Sequence, residues 1–115
     1  MKVALLLAVL PATWLTGCGD DDYVGPYSFL VGGPCSAHAD CAPGARCEEG
    51  GDFPQGLCTL PCDQSFDCPA GTACIDKEDG ICMILCRSDF DCRGGYDCES
   101  KDVKDAPGEA RVCSK

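Results

Sequence analysis

The chain has 115 residues, 13 of them Cys, with 19 acidic against 9 basic side chains and a net charge of −10. That balance argues against a nucleic-acid partner and against an electrostatic grip on anionic lipid, since both need a basic surface. Ile, Leu, Val and Phe are too sparse among the clustered cysteines for an apolar core of ordinary size, and so small a chain then depends on covalent staples, which presume an oxidising compartment.

Met1-Lys2 is a minimal positive start, and Val3–Leu10 is a short apolar run ended by Pro11. The run falls well short of the ~20 residues that span a bilayer and fits an export signal. Leu15-Thr16-Gly17-Cys18 follows. These four residues resemble the lipobox of bacterial lipoproteins. The resemblance implies a signal peptide over residues 1–17, cleavage before Cys18, diacylglycerol on the Cys18 thiol and acylation of the new amino group. Small side chains let a peptidase approach the backbone, and only a thiol makes the thioether. Parity agrees, because setting Cys18 aside leaves an even 12 cysteines. The competing reading is an ordinary secretory signal with Cys18 as an odd thiol. Several acyl chains on one residue would hold the protein to a membrane durably, at roughly 0.8 kcal/mol per buried CH2. Without Lys2 the remaining charge is near −11.

Gly19 stands where enteric lipoproteins retained at the inner membrane carry Asp, so the resemblance implies the outer membrane. Asp20-Asp21-Asp22 resembles the acidic cluster that marks surface export in some bacteria; a solvated spacer explains the same residues. Residues 18–34 read as a lipidated flexible tether, because Gly19, Gly25, Pro26, Gly32, Gly33 and Pro34 discourage a regular element. Tyr23, Tyr27, Phe29, Leu30 and Val31 are unusually apolar for a spacer, and are expected to rest on the first cysteine unit rather than at the lipid interface.

Three copies of one plan follow. The first is Cys35-x5-Cys41-x5-Cys47-x10-Cys58, the second Cys62-x5-Cys68-x5-Cys74-x7-Cys82, the third Cys86-x5-Cys92-x5-Cys98-x14-Cys113. Both joins are three residues long, Thr59-Leu60-Pro61 and Met83-Ile84-Leu85. Such a short period indicates an array of small units. Asp40, Asp67 and Asp91 each precede the second Cys; a short carboxylate there can accept backbone N–H groups and close a turn. A ring of metal ligands is the competing reading. Gly44, Gly71 and Gly95 stand three residues after the second Cys, where a type II turn needs positive φ. Phe66 and Phe90 match each other, with Ala39 in the first copy, and are expected to pack between units. The stretch from third to fourth Cys reads as a small hairpin, with Gly56 and Gly80 two residues before its end. Met83-Ile84-Leu85 reads as a strand or plug between units. The polar insertion Ser100–Glu109 is expected to be a mobile loop.

The fold class expected is small and disulfide-rich: a tandem array of three four-cysteine units, 35–58, 62–82 and 86–113, with short β-hairpins and turns and little regular secondary structure. Four cysteines allow three pairings per unit. Joining first to third and second to fourth is favoured, because interlocked loops constrain a unit more than consecutive ones. That gives Cys35–Cys47, Cys41–Cys58, Cys62–Cys74, Cys68–Cys82, Cys86–Cys98 and Cys92–Cys113, while the three-residue joins leave a bridge between units open. Each bridge over about 15 residues is worth roughly 3 kcal/mol in the chain-entropy model.

The frame C-x4-D-C-x2-G-x2-C, repeated over residues 35–113, resembles the Dickkopf-type N-terminal cysteine-rich repeat. The resemblance implies an extracellular repeat that mediates protein contacts; it carries over no ligand and no binding residues, since only cysteines and turn residues match. His38 lacks catalytic company and reads as a surface loop residue. The x5 and x3 gaps do not suit zinc knuckles, no C-x-x-C is present for redox work, and Asp76-Lys77-Glu78-Asp79-Gly80 lacks the register of a calcium loop. The expected function is a lipid-anchored extracytoplasmic scaffold or protein-interaction module of the bacterial envelope. It would have no catalysis, no cofactor and no metal, and would bind the membrane through its acyl chains and an envelope or extracellular protein. A Ca²⁺-responsive acidic module and a soluble secreted inhibitor-like cysteine knot are the alternatives.

Overall fold

Each cysteine quartet folds in the same way, for a reason visible in its hairpin. The computed structural model describes residues 24–115; the stretch expected as a signal peptide, Cys18, Asp20–Asp22 and Tyr23 lie outside the described residues. Strands β1 (Arg46–Glu48) and β2 (Leu57–Thr59) form the first hairpin, β3 (Thr72–Ile75) and β4 (Ile81–Ile84) the second, β5 (Asp97–Asp102) and β6 (Glu109–Ser114) the third. In all three the third and fourth cysteines are direct cross-strand partners: Cys47 opposite Cys58, Cys74 opposite Cys82, Cys98 opposite Cys113. Opposed residues project to one face of a hairpin. Both sulfurs therefore meet the turn that carries the first and second cysteines.

The bonds formed are Cys35–Cys47 and Cys41–Cys58, Cys62–Cys74 and Cys68–Cys82, Cys86–Cys98 and Cys92–Cys113. The first bridge of each unit always spans 12 residues, whereas the second spans 17, 14 and 21. All length variation is thus confined to the hairpin, away from the rigid turn.

The joins continue the strands. Thr59 ends β2, while Leu60 accepts the Cys82 N–H and Pro61 bridges Ile81 in the next hairpin. Ile84 ends β4, and Leu85 bridges Val112. One extended stretch thereby closes one unit and flanks the next. Thr59 adds a buried bond, its Oγ1 donating to Cys82 O at 2.6 Å.

Residues 24–34, expected as flexible tether, are part of the fold. Gly32 N–H donates to Cys58 O and Cys58 N–H to Gly33 O, at 2.9 and 2.8 Å. This segment gives the first unit the flanking strand that the joins give the others. Its glycines serve close approach rather than freedom: a Cβ on Gly32 would sit 2.0 Å from Gly25 O, and one on Gly33 2.5 Å from Ser28 O. Val31, 0% exposed, packs with Val24, Leu30, Leu60 and Ile84 over the second unit's disulfides. The apolar residues expected to rest on the first unit thus divide. Their backbone pairs with that unit, Val31 and Leu30 cover the second, and Tyr27 and Phe29 stay exposed.

The units share one seam. Phe53 and Leu57 of the first, Ala73, Ile75, Ile81 and Met83 of the second, and Tyr96 and Val112 of the third form a single buried cluster. The insertion Ser100–Glu109 is not the mobile loop expected from its polarity. It lengthens the third hairpin to six residues per strand and pairs with the second. Val103 bridges Ile75, Asp76 N–H donates to Asp102 O, and Lys104 N–H donates to Cys74 O. Free backbone groups on the edge of a short hairpin recruited the polar segment.

Val31→Ala removes buried methyl groups from this arrangement and is expected to cost about 1–3 kcal/mol in urea unfolding. Limited proteolysis of the native protein is expected to leave residues 24–34 uncut; ready cleavage there would contradict their packing.

Candidate functional site

The turn between first and second cysteines is a short 3-10 segment: His38–Asp40, Ser65–Asp67 and Asp89–Asp91. Its last residue closes it. Asp40 Oδ2 accepts from Ser36 and Ala37 N–H, Asp67 Oδ2 from Asp63 and Gln64, Asp91 Oδ2 from Arg87 and Ser88, all at 2.8–3.3 Å. These carboxylates face backbone donors, as turn closure requires. The bonds hold the Asp91 carboxyl below the usual carboxylate range, the Arg87 N–H contributing most and Ser88 next. Gly44, Gly71 and Gly95 follow with φ of 88°, 88° and 93°, each third in a turn closed by Ala45, Thr72 and Tyr96 N–H donating to Ala42, Pro69 and Arg93 O.

A second device is shared by all three turns. The residue three after the first cysteine accepts the third cysteine's N–H: His38 Nδ1 from Cys47 at 3.0 Å, Ser65 Oγ from Cys74 at 3.0 Å, Asp89 Oδ1 from Cys98 at 2.8 Å. His38 is a surface residue, but with this structural task; its Nδ1 must be the unprotonated nitrogen. The signal was present as a side-chain acceptor at one register, disguised by three different residue types.

Both ends of the 3-10 segment turn inward to accept, so the middle residue faces water. Phe66 and Phe90 are 91% and 99% exposed, and do not pack between units as expected. Ala39 occupies the same place in the first unit and is also exposed. A second surface feature is an open cleft of about 730 Å³ in the first unit, whose lining includes Phe29, Ser36, Asp40, Glu49, Phe53 and Gln55.

The third unit holds the first through Arg93 and Tyr96. Arg93 Nη2 donates to Gly56 O, and the Tyr96 hydroxyl donates to Pro54 O at 3.1 Å. Burial pushes the Tyr96 phenol above its ordinary value, with the Arg93 charge opposing.

Among the described residues, the groups of three side chains close enough to share a metal ion are all cysteine sulfurs, Cys35, Cys41 and Cys58 being one such group. Those sulfurs are bonded in disulfides, and a ligating sulfur must be a free thiolate. The Asp76–Gly80 stretch is a hairpin tip in which Gly80 N–H donates to Lys77 O and Asp79 O accepts from Lys104 Nζ. No helix among the described residues is long and apolar enough to cross a membrane.

These features define a small disulfide-rich protein built from three equivalent four-cysteine units. Compared with family models, curated proteins and solved structures, the chain matches none of them.

His38→Ala leaves the buried-side Cys47 N–H without its acceptor and is expected to cost about 1 kcal/mol in urea unfolding. His38→Asp and His38→Ser supply the acceptors of the sister units and are expected to recover most of it.

Tyr96 gives an alkaline prediction. Its pKa is raised in the folded state, so the stabilisation is intact below the unfolded tyrosine value of about 10. It is lost as pH rises through the higher folded value. Phenolate absorbance is expected to show one late tyrosine ionisation accompanied by loss of stability, and Tyr96→Phe should remove both.

Proposed function

We propose that this chain is a lipid-anchored extracytoplasmic protein-interaction module of a bacterial envelope, acting without catalysis. Anchoring rests on the lipobox-like Leu15-Thr16-Gly17-Cys18, and the compartment on six bridges that need oxidising surroundings. The interaction role is carried by one observation: two equivalent turns, each stapled by disulfides, hold Phe66 and Phe90 out in water. Exposed aromatic side chains on a rigid support lose little conformational entropy on binding, which suits interface anchors. The contact between third and first units favours a module over an extended stalk, because a row touching only at its joins would not bring Tyr96 to Pro54.

The test has two arms in intact cells. Cys18→Ala is expected to move the protein from the membrane fraction to the aqueous one; unchanged fractionation would refute the anchor. A photo-crosslinker at position 66 or 90 is expected to give discrete protein adducts. A crosslinker at Glu109 should give adducts that disappear in Phe66→Ser/Phe90→Ser protein whose six disulfides are verified by mass mapping. Adducts that persist in the double variant would place the interaction elsewhere.

A further inference from the structure

The three units differ at one main-chain position. In each, the third cysteine turns its N–H outward to the acceptor in the turn, so its carbonyl lies on the same outer edge of the hairpin. In the second unit that carbonyl, Cys74 O, accepts the Lys104 N–H at 2.9 Å, and Asp76 N–H donates to Asp102 O at 2.9 Å. In the third, Cys98 O accepts from Arg111 Nη2 at 3.3 Å. In the first, neither Cys47 O nor the N–H of Glu49 meets a partner among the described residues. The second unit fills this edge with a strand and the third caps it with a side chain, but the first keeps it open.

What fills the edge in the second unit indicates what would fill it in the first. Val103 is the central residue of that antiparallel bridge, opposite Ile75, and the side chains of such a pair stand close together. Glu48 takes the place of Ile75, next after the third cysteine, so the residue opposite must be a cation rather than an apolar side chain. Arg46 Nε meets Glu48 Oε2 at 2.6 Å, and Oε1 makes no bond among the described residues. Glu49 is exposed and, with Asp40 and Phe29, lines the open cleft of about 730 Å³. A cationic side chain entering there meets carboxylates and an aromatic ring, both of which attract it.

Other occupants fit poorly. A second copy pairing its β1 with this one would set the two Glu48 side chains opposite each other, and like charges directly opposite destabilise a sheet. The chain's own residues between Cys18 and Val24 carry Asp20–Asp22 and no basic side chain.

We propose that the outer edge of β1 is a strand-addition site for an extended basic segment of a partner protein, running antiparallel to β1. Cys47 O and Glu49 N–H form the main-chain bonds, a Lys or Arg of the segment stands opposite Glu48, and flanking cations lie in the cleft beside Asp40 and Glu49. In strand addition the main-chain bonds supply affinity and the side chains supply specificity. The site belongs to the first unit, whose turn carries Ala39 where the others carry Phe66 and Phe90, so it stands apart from those anchors.

The experiment is ¹⁵N NMR on the full protein, titrated with a short capped peptide of alternating Thr and Lys. Saturable binding with a downfield shift of the Glu49 amide proton is expected, and none with the matching Thr and Glu peptide. N-methylation of the peptide's Thr amides, which would face Cys47 O, is expected to weaken binding about tenfold, as is Glu49→Pro, which removes the N–H on the protein side. Absence of saturable binding overturns the proposal. So does binding that N-methylation leaves unchanged, which marks a diffuse attraction of charge, or that Glu49→Pro leaves unchanged, which puts the strand elsewhere. Should Glu49→Pro fail to form its six disulfides, the methylated peptide decides on wild type alone. A protein that sediments as a dimer, with the Glu49 amide protected before any peptide is added, gives the edge to a second copy and overturns the proposal too. Phe66→Ser/Phe90→Ser protein is expected to bind the peptide as wild type does, so this site and the aromatic anchors are judged separately.

Discussion

The structure depends on the direct opposition of the third and fourth cysteines across each hairpin. Two sulfurs leaving one face of a two-stranded ribbon side by side are poorly placed to serve distant partners. They take the two cysteines of the turn packed against that face. Strands of three or four residues are marginal alone; here each is tied twice to a turn that is itself closed by an Asp and by the acceptor three residues after the first cysteine. The staple and the hydrogen bonds depend on each other, since the bridges set the distance at which those acceptors meet N–H groups.

Repetition of the unit leaves a problem that the joins solve. A two-stranded hairpin has unpaired edges, and unpaired edges invite association. Each three-residue join lays itself along the next hairpin, so that one unit's last strand covers its neighbour's edge. The first unit has no predecessor, and residues 24–34 take that place. Pro34 and Pro61 stand at equivalent positions just before the first cysteine, where the flanking strand need not donate. The long third hairpin completes the scheme by lending Asp102–Lys104 to the open edge of the second.

The same economy shapes the surface. In a three-residue turn with both end residues folded inward as acceptors, the middle side chain has only solvent to face. Phe66 and Phe90 are exposed by the geometry that makes their turns rigid. A partner reading two such positions would meet anchors held by disulfides rather than by a mobile loop.

The cysteine spacing made the number of units, their boundaries and their hairpins legible, and the local roles of Asp40, Asp67, Asp91, Gly44, Gly71 and Gly95 followed from backbone chemistry within a few residues. The pairing was one of three possibilities per unit, with first to third and second to fourth favoured, and the folded chain brings those sulfurs into bonding distance. Contacts between units lay beyond reach. Gly32 and Gly33 look like hinges until Cys58 and Ser28 are seen beside them. Ser100–Glu109 looks like a loop until the edge of β3 is seen free to bind it. Phe66 and Phe90 look like contacts between units until both are seen standing in water, and no local signal marks Arg93 as buried. Local turns are written in residues a few positions apart, so the sequence alone determines them. Which edge, carbonyl or cavity a residue meets depends on partners up to about forty positions away, and only the tertiary structure brings those together.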